Sequence, residues 1–368
     1  MDRHLQRAFD VAAEMVWRPR FESLQAEREV VLEEIAMYED DPQDRVFDVL
    51  GEAVFGSHPL GRAVIGTAQV VGAVTLEQLR DFHAERYEPR RIVIAAAGSI
   101  DHDALVELAG AASPGGDDAV ADPPLNVLAV GEGRAQVSTA NGASRSASSS
   151  PSASPAPFVA AIQPAPVFER RVRFLRKDTE QYHLCLGGQG ISRHDERRFA
   201  LRVLEGVLGG TSSSRLFQEV RERRGLAYSV FSFSSQHADT GEVGLYVGTR
   251  PENLGEAITT IARELQRFVE DPATPQELER SRENLKGRVA LSLESTSARM
   301  SRLGSALLGG VPIYSVDEIV DRIDAVTVED LGELARELFV AERLSVAGVG
   351  AEEEAFRQAL APLERVAA

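Results

Sequence analysis

Apolar residues recur at helical spacing near the start of the chain. Leu5, Phe9, Ala12, Ala13 and Val16 mark one stripe, ended by Pro19, and Val30, Val31, Ile35 and Tyr38 mark another over residues 24–38. Thr75-Leu76-Glu77-Gln78 has the form of a capping box. There a Thr and a Gln three residues on satisfy each other's free backbone N–H groups, so a helix is predicted from there to about Tyr87. The apolar run 91–97, closed by Gly98, predicts a buried strand. Further on, strands are predicted at 172–175, 181–187, 227–236 and 241–249, with helices at 196–208, 214–223, 254–270 and 275–295. Thr327-Val328-Glu329-Asp330 opens one more helix, and 344–349 reads as a last strand.

These elements repeat. Val74-Thr75-Leu76-Glu77-Gln78-Leu79 and Val326-Thr327-Val328-Glu329-Asp330-Leu331 share one pattern 252 positions apart, and at the same offset 91–98 faces 343–350. With a slide of one residue, Val16, Pro19 and Leu32 face Val269, Pro272 and Leu285. The second copy extends upstream to about Phe158, whereas the first reaches Met1 with roughly ninety residues of its counterpart absent. The expected fold class is therefore α+β: two repeated units, each a mainly antiparallel sheet covered by helices, with the first unit incomplete and truncated at its N-terminal side. Residues 1–112 are expected to form the incomplete unit and 158–368 the complete one. Between them, 113–157 is rich in Ser, Ala, Gly and Pro and too poor in large apolar residues to offset its ordering entropy. It reads as a flexible linker, with a short strand within 126–137.

The 368 residues leave room for two cores, and 43% hydrophobic with 26% charged residues is ordinary for a globular chain. A formal net charge of −17 argues against a nucleic-acid partner, and no apolar run approaches a membrane span. The one cysteine, Cys185, excludes an intrachain disulfide and reads as a strand core residue.

Two constellations carry candidate chemistry. Glu27 and Glu34 stand two helical turns apart in Glu27-Arg28-Glu29-Val30-Val31-Leu32-Glu33-Glu34-Ile35, so both project from one face. That arrangement suits a metal or a proton relay, and it equally suits a solvated acidic surface. In 214–230, a helix bearing Arg221 ends near Gly225, and the following strand returns Tyr228 towards the helix end. An Arg and a Tyr converging there suit a clamp on a carbonyl or oxyanion, or simply a surface Arg beside a half-buried Tyr.

Together these stretches resemble the insulinase/pitrilysin family of zinc metallopeptidases, which includes the mitochondrial processing peptidases. The motifs are the Glu27–Ile35 segment followed by Tyr38-Glu39-Asp40-Asp41-Pro42, then His58-Pro59-Leu60-Gly61-Arg62 with Gly66-Thr67, and Phe82 with Tyr87-Glu88-Pro89. Ser214-Arg215-Leu216-Phe217 through Gly225-Leu226-Ala227-Tyr228-Ser229 is similar to the family's second-half motif. The resemblance implies that Glu34 is the third zinc ligand and Glu27 a carboxylate supporting the site. It likewise implies that Arg221 and Tyr228 are the pair that the second half presents to substrate.

The family's other two ligands and its general base come from an upstream His-x-x-Glu-His motif. The seven histidines here are His4, His58, His83, His102, His183, His194 and His237, and no two stand four apart on one helix. Glu34 alone does not make a catalytic zinc site, which needs about three protein ligands. The expectation is thus a zinc metalloendopeptidase type acting on peptides or unfolded segments, with zinc as cofactor of an intact form and this chain inactive by itself. The alternative is a non-catalytic subunit that donates the Arg/Tyr pair within a homo- or heterodimer of the family.

Overall fold

The computed structural model describes residues 4–114, 126–131, 134–139, 145–146, 166–339 and 343–365. Two compact units form. One comprises residues 1–29, 72–162 and 289–314, the other 30–71, 163–288 and 315–368. Each is a mainly antiparallel sheet with helices against it, so the α+β class stands. Most of 113–157 lies outside the described residues, so the linker reading does too. Within that range the described residues hold strands where one short strand was expected.

The first unit carries a four-stranded sheet of β1 (Val93–Ala97), β2 (Asn126–Gly131), β3 (Arg134–Thr139) and β4 (Arg145–Ser146), in that spatial order. β1 and β2 are parallel, the rest antiparallel. Ile94 and Ala96 join a core with Phe9, Ala13, Val16 and Trp17 of the Leu5–Trp17 helix and Leu105 and Ala109 of the His102–Ala112 helix. Ala95 meets the Thr296–Gly309 helix, where a Cβ on Gly304 would stand 3.3 Å from the Cβ of Ala95. The Leu76–Arg86 helix opens with the predicted Thr75/Gln78 capping box and is tied to the Leu5–Trp17 helix by His83 Nε2, 2.7 Å from Val16 O.

The second unit carries five strands: β5 (Val172–Arg176), β6 (Tyr182–Gly190), β7 (Ala227–Gln236), β8 (Gly241–Thr249) and β9 (Ser345–Gly350). Their order is β5-β9-β6-β8-β7, antiparallel except for the parallel β5–β9 pair. One face takes the Pro42–Phe55 helix, whose Val46, Leu50, Val54 and Phe55 pack on Cys185, Tyr246, Ala347 and Val349. Four such side chains withdrawn from water stabilise this contact by roughly 6 kcal/mol and by about 12 kcal/mol at most. Polar contacts fix both helix ends. Asp41 caps the first turn, Tyr246 donates to Gln43 Oε1 at 3.3 Å, and Arg171 Nη1 and Ser345 Oγ donate to Ala53 O at 3.1 and 3.2 Å. A cation at the C-terminal carbonyls is favoured by the helix dipole.

Pro42–Phe55 and Thr296–Gly309 are repeat counterparts, yet each packs in the unit built on the other repeat's sheet. Their apolar faces announce burial without naming the sheet that buries them.

Three further local differences from the sequence reading matter. Residues 217–222 form a π-helical turn, with Arg223 N–H bonding Gln218 O at 2.9 Å. The helix expected over 275–295 ends as Pro275–Ser292, and Ser295 then caps a new helix through Ala298 N–H. Val316–Asp324, not anticipated, opens with a second capping box of Ser315 and Glu318.

Candidate functional site

The segment that presents Arg221 and Tyr228 is held by a buried ion pair at its start. Arg215, 5% exposed at its side chain, gives two parallel 2.8 Å hydrogen bonds to the Glu277 carboxylate and a third, at 2.6 Å, to Asp271 O. Burial disfavours the Glu277 charge, but the Arg215 hydrogen bonds and those from Thr274 prevail and hold it at about 2. Along the turn, Glu219 is buried and bonds both Arg223 and Arg224. The Arg224 hydrogen bond, opposed by burial and aided by Arg223, holds the Glu219 carboxyl below its usual range. The two neighbouring cations are thus occupied, and Arg221 is left to the outer face of the turn.

The turn ends at Gly225, whose φ of +62° lies in the left-handed region that the sequence spacing assigned to it. Leu226 O then accepts from Thr249 Oγ1 at 2.6 Å and Asn253 Nδ2 at 3.4 Å, which seats the start of β7. A β-bulge follows. Ala227 pairs with Thr249 and Ser229 with Gly248, so Tyr228 is the extra residue, turned out of the ladder and 78% exposed.

Arg221 and Tyr228 meet there. The Arg221 guanidinium carbon lies 4.3 Å from the Tyr228 ring centroid and 4.8 Å from that of Phe217, and Nη1 donates to Tyr228 O at 2.9 Å. Glu222 Oε1 is 3.7 Å from Nε, an ion-pair rather than a hydrogen-bond distance. Nε and Nη2 of Arg221 and the Tyr228 hydroxyl make no hydrogen bond among the described residues. The outcome is a cation fixed between two rings, with unspent donors beside an exposed phenol, fit to hold a carbonyl or carboxylate oxygen. Phe217 was missed in the sequence reading, although its position four residues before Arg221 places it on the same helical face.

Glu27 and Glu34 both lie on the Leu24–Asp40 helix and are both exposed. The C-terminal end of that helix is held by Lys177, whose Nζ donates to Glu39 O at 3.1 Å. Neither glutamate is drawn into a cluster. Among the described residues no three of His, Cys, Asp and Glu come together so as to hold a metal ion. The donor set present does not fit a catalytic zinc. Cys185, at the centre of the second sheet, is fully buried, and burial pushes its thiol well up. No helix among the described residues is long and apolar enough to cross a membrane.

Comparison with known proteins agrees with this layout. A family model described as "Insulinase (Peptidase family M16)" matches residues 1–68, and one described as "Peptidase M16 inactive domain" matches 73–285. An uncharacterized zinc protease of Streptomyces coelicolor is 38% identical over 352 residues, which covers 95% of this chain and 70% of the relative. An uncharacterized zinc protease of Mycobacterium tuberculosis is 39% identical over 336 residues, covering 91% and 69%. Among solved structures, a peptidase M16 inactive domain from Pseudomonas fluorescens has a TM-score of 0.71 at 21% identity, over 94% of this chain and 75% of that one, and shows the shared fold.

Proposed function

This chain belongs to the insulinase family of peptidases, M16, and we propose that it is the substrate-clamping part of a metalloendopeptidase of that family. The observation that carries the reading is Arg221, fixed between Phe217 and Tyr228 with donors to spare. An extended or unfolded peptide would lay a backbone carbonyl against the free Arg221 donors and the Tyr228 hydroxyl. The stacked rings hold the guanidinium in place before the peptide arrives, so little side-chain entropy is lost on binding. In the proposed site Glu34 is one metal-ligating carboxylate and Glu27 its supporting neighbour. Among the described residues no further donors gather with them to hold a metal, so no hydrolytic step is assigned to this chain.

A second reading is favoured by that same donor set: a non-catalytic subunit that lends the Arg221–Tyr228 pair to a partner of the same family. Both readings make one statement about this chain by itself, that it binds unfolded peptide and does not cleave it. The check is to incubate the purified chain with zinc and a fluorescein-labelled unfolded casein, and to measure cleavage with and without chelator alongside zinc per chain after desalting. Binding without cleavage is expected. Chelator-sensitive turnover with one zinc per chain would overturn the reading.

A further inference from the structure

The helix beneath the clamp segment carries a carboxyl where its pattern calls for an apolar residue. In Leu254–Glu270 the inward stripe is Ala257, Ile261, Glu264, Leu265 and Phe268, and Glu264 is 3% exposed. Its Oε2 has no hydrogen-bond partner among the described residues. Arg263 and Arg267 of the same helix each stand 3.8 Å from its carboxylate, an ion-pair rather than a hydrogen-bond distance. Arg215, 5.7 Å from the Phe268 ring centroid, is already bound to Glu277 and Asp271 O. A buried carboxylate oxygen left without a hydrogen bond is costly, so the neutral acid is the form that suits this position.

Across from it lies a second buried carboxyl. The 217–222 π-turn packs on this helix, and within the turn Glu219 is 7% exposed. Glu219 is kept charged, because Arg224 and Arg223 both bond its carboxylate, and Arg224 Nη1 also donates to Glu219 O at 2.9 Å. Burial first, and then the charge of Glu219, push the Glu264 carboxyl above its usual range against the pull of Arg267, Arg263 and Arg215. Arg224 feels both Glu264 and the exposed Glu256. Among the described residues the other elements packed on the helix bring Glu264 no charge. The 353–359 and 361–365 helices face the opposite stripe, at Gly255, Thr259, Ala262 and Gln266. Val328–Leu338 turns only uncharged residues inward, and the exposed Glu252 of the 251–253 turn lies about three helical turns away.

We propose that Glu264 is a positioning residue of the Arg221–Tyr228 clamp: its proton keeps the π-turn seated, and loss of that proton unseats it. The inference deepens the peptide-gripping reading and rests on it. Ionised, Glu264 sets one buried negative charge against another across the contact between helix and turn. Glu219 is the one to yield. It rides on a single π-turn, a rare form found mostly at functional sites, whereas Glu264 is set in a 17-residue helix. The same turn carries Phe217 and Arg221. Arg224 leads on to Gly225 and Leu226, whose N–H groups bond Arg221 O at 3.0 Å and Val220 O at 2.9 Å. A shift of Glu219 therefore reaches the stacking of Arg221 on Phe217 and Tyr228. The released proton passes to solvent. Because the Glu264 carboxyl is raised, its neutral form is complete at acid pH and is lost as pH rises through the raised value, so the grip loosens towards alkaline pH.

The test is fluorescence anisotropy of the full chain with a rhodamine-labelled, end-blocked unfolded peptide that lacks Asp, Glu, His and Cys, at constant ionic strength. From about pH 5 to about pH 8 the native Kd should rise about fivefold or more. Glu264→Gln, an uncharged isostere, should hold the acid-side affinity across that range, while Glu242→Gln should keep the native pH dependence. Amide exchange reads the turn without peptide. For Arg223, bonded to Gln218 O, and Leu226, bonded to Val220 O, the native chain and Glu264→Gln should match at the lower pH. At the upper pH the native amides should exchange at least about fivefold faster than those of the variant. Native and Glu264→Gln running parallel in both measurements overturns the proposal. An exchange difference with no peptide bound at any pH supports the hold of Glu264 on the turn and overturns the peptide-gripping reading instead.

Discussion

The Arg221 guanidinium lies 4.3 Å from the Tyr228 ring centroid and donates a 2.9 Å hydrogen bond to the carbonyl of the same residue. One side chain thus holds its partner's ring and backbone together, at a bulge that turns the ring to solvent. Arg221→Ala removes the cation and frees the bulge, and should weaken binding of an unfolded peptide by about tenfold or more. Tyr228→Phe keeps the stacking and loses only the hydroxyl, so about two- to tenfold weakening is expected. Fluorescence anisotropy with a labelled peptide measures both. Because Tyr228 is largely exposed and Arg221 partly so, chemical denaturation should show each variant within about 1 kcal/mol of the native chain.

Arg215 and Glu277 behave differently, because their pair is buried. Arg215→Ala leaves an uncompensated carboxylate and should destabilise the second unit by about 3–5 kcal/mol in urea unfolding. The pair also sets an acid limit. Glu277 is held at about 2 against an ordinary 4.5, so its contribution is fully present above about pH 5 and is lost as pH falls towards 2. A melting-temperature profile over that window should flatten in Glu277→Gln.

Glu242 should act in the opposite sense. Burial pushes its carboxyl from 4.5 up to about 7, and its Oε1 has no hydrogen-bond partner among the described residues. The folded state therefore favours the neutral acid. Its stability is greatest below about pH 4.5 on this account and falls as pH rises through 7. Glu242→Gln should raise the melting temperature at pH 8 and leave it nearly unchanged at pH 4.

Gly225 is the hinge of the clamp segment. A Cβ there would meet nothing within 4 Å, so the cost of Gly225→Ala is backbone strain alone, about 1 kcal/mol at φ +62°. If the turn relaxes to relieve that strain, Tyr228 moves away from Arg221. The variant should then lose peptide affinity in the same anisotropy assay while unfolding only slightly earlier.

Much of this was legible in the sequence, where the determinants are local. The Thr75/Gln78 and Thr327/Asp330 boxes set helix starts with their own side chains, and Gly225 marked its left-handed turn. Strands 227–236 and 241–249 fell at the expected bounds. The return of Tyr228 towards Arg221 followed from that helix end and strand start.

What was not legible depends on partners distant in sequence. The bulge at Tyr228 exists only relative to Gly248 and Thr249 on β8. The π-turn at 217–222 closes through the Arg223–Gln218 bond while Arg215 is anchored on Glu277, and no local pattern announces either. The exchange of Pro42–Phe55 and Thr296–Gly309 between sheets lies beyond periodicity altogether, since an amphipathic stripe carries no address.

The proposed clamp grips unfolded peptide through Arg221 without needing a metal. The most direct measurement titrates a labelled unfolded peptide into the native chain and Arg221→Ala, each with and without excess chelator. The account predicts binding that chelator leaves unchanged and that Arg221→Ala weakens by about tenfold or more. Binding that survives Arg221→Ala unaltered, or that chelator abolishes, would contradict it.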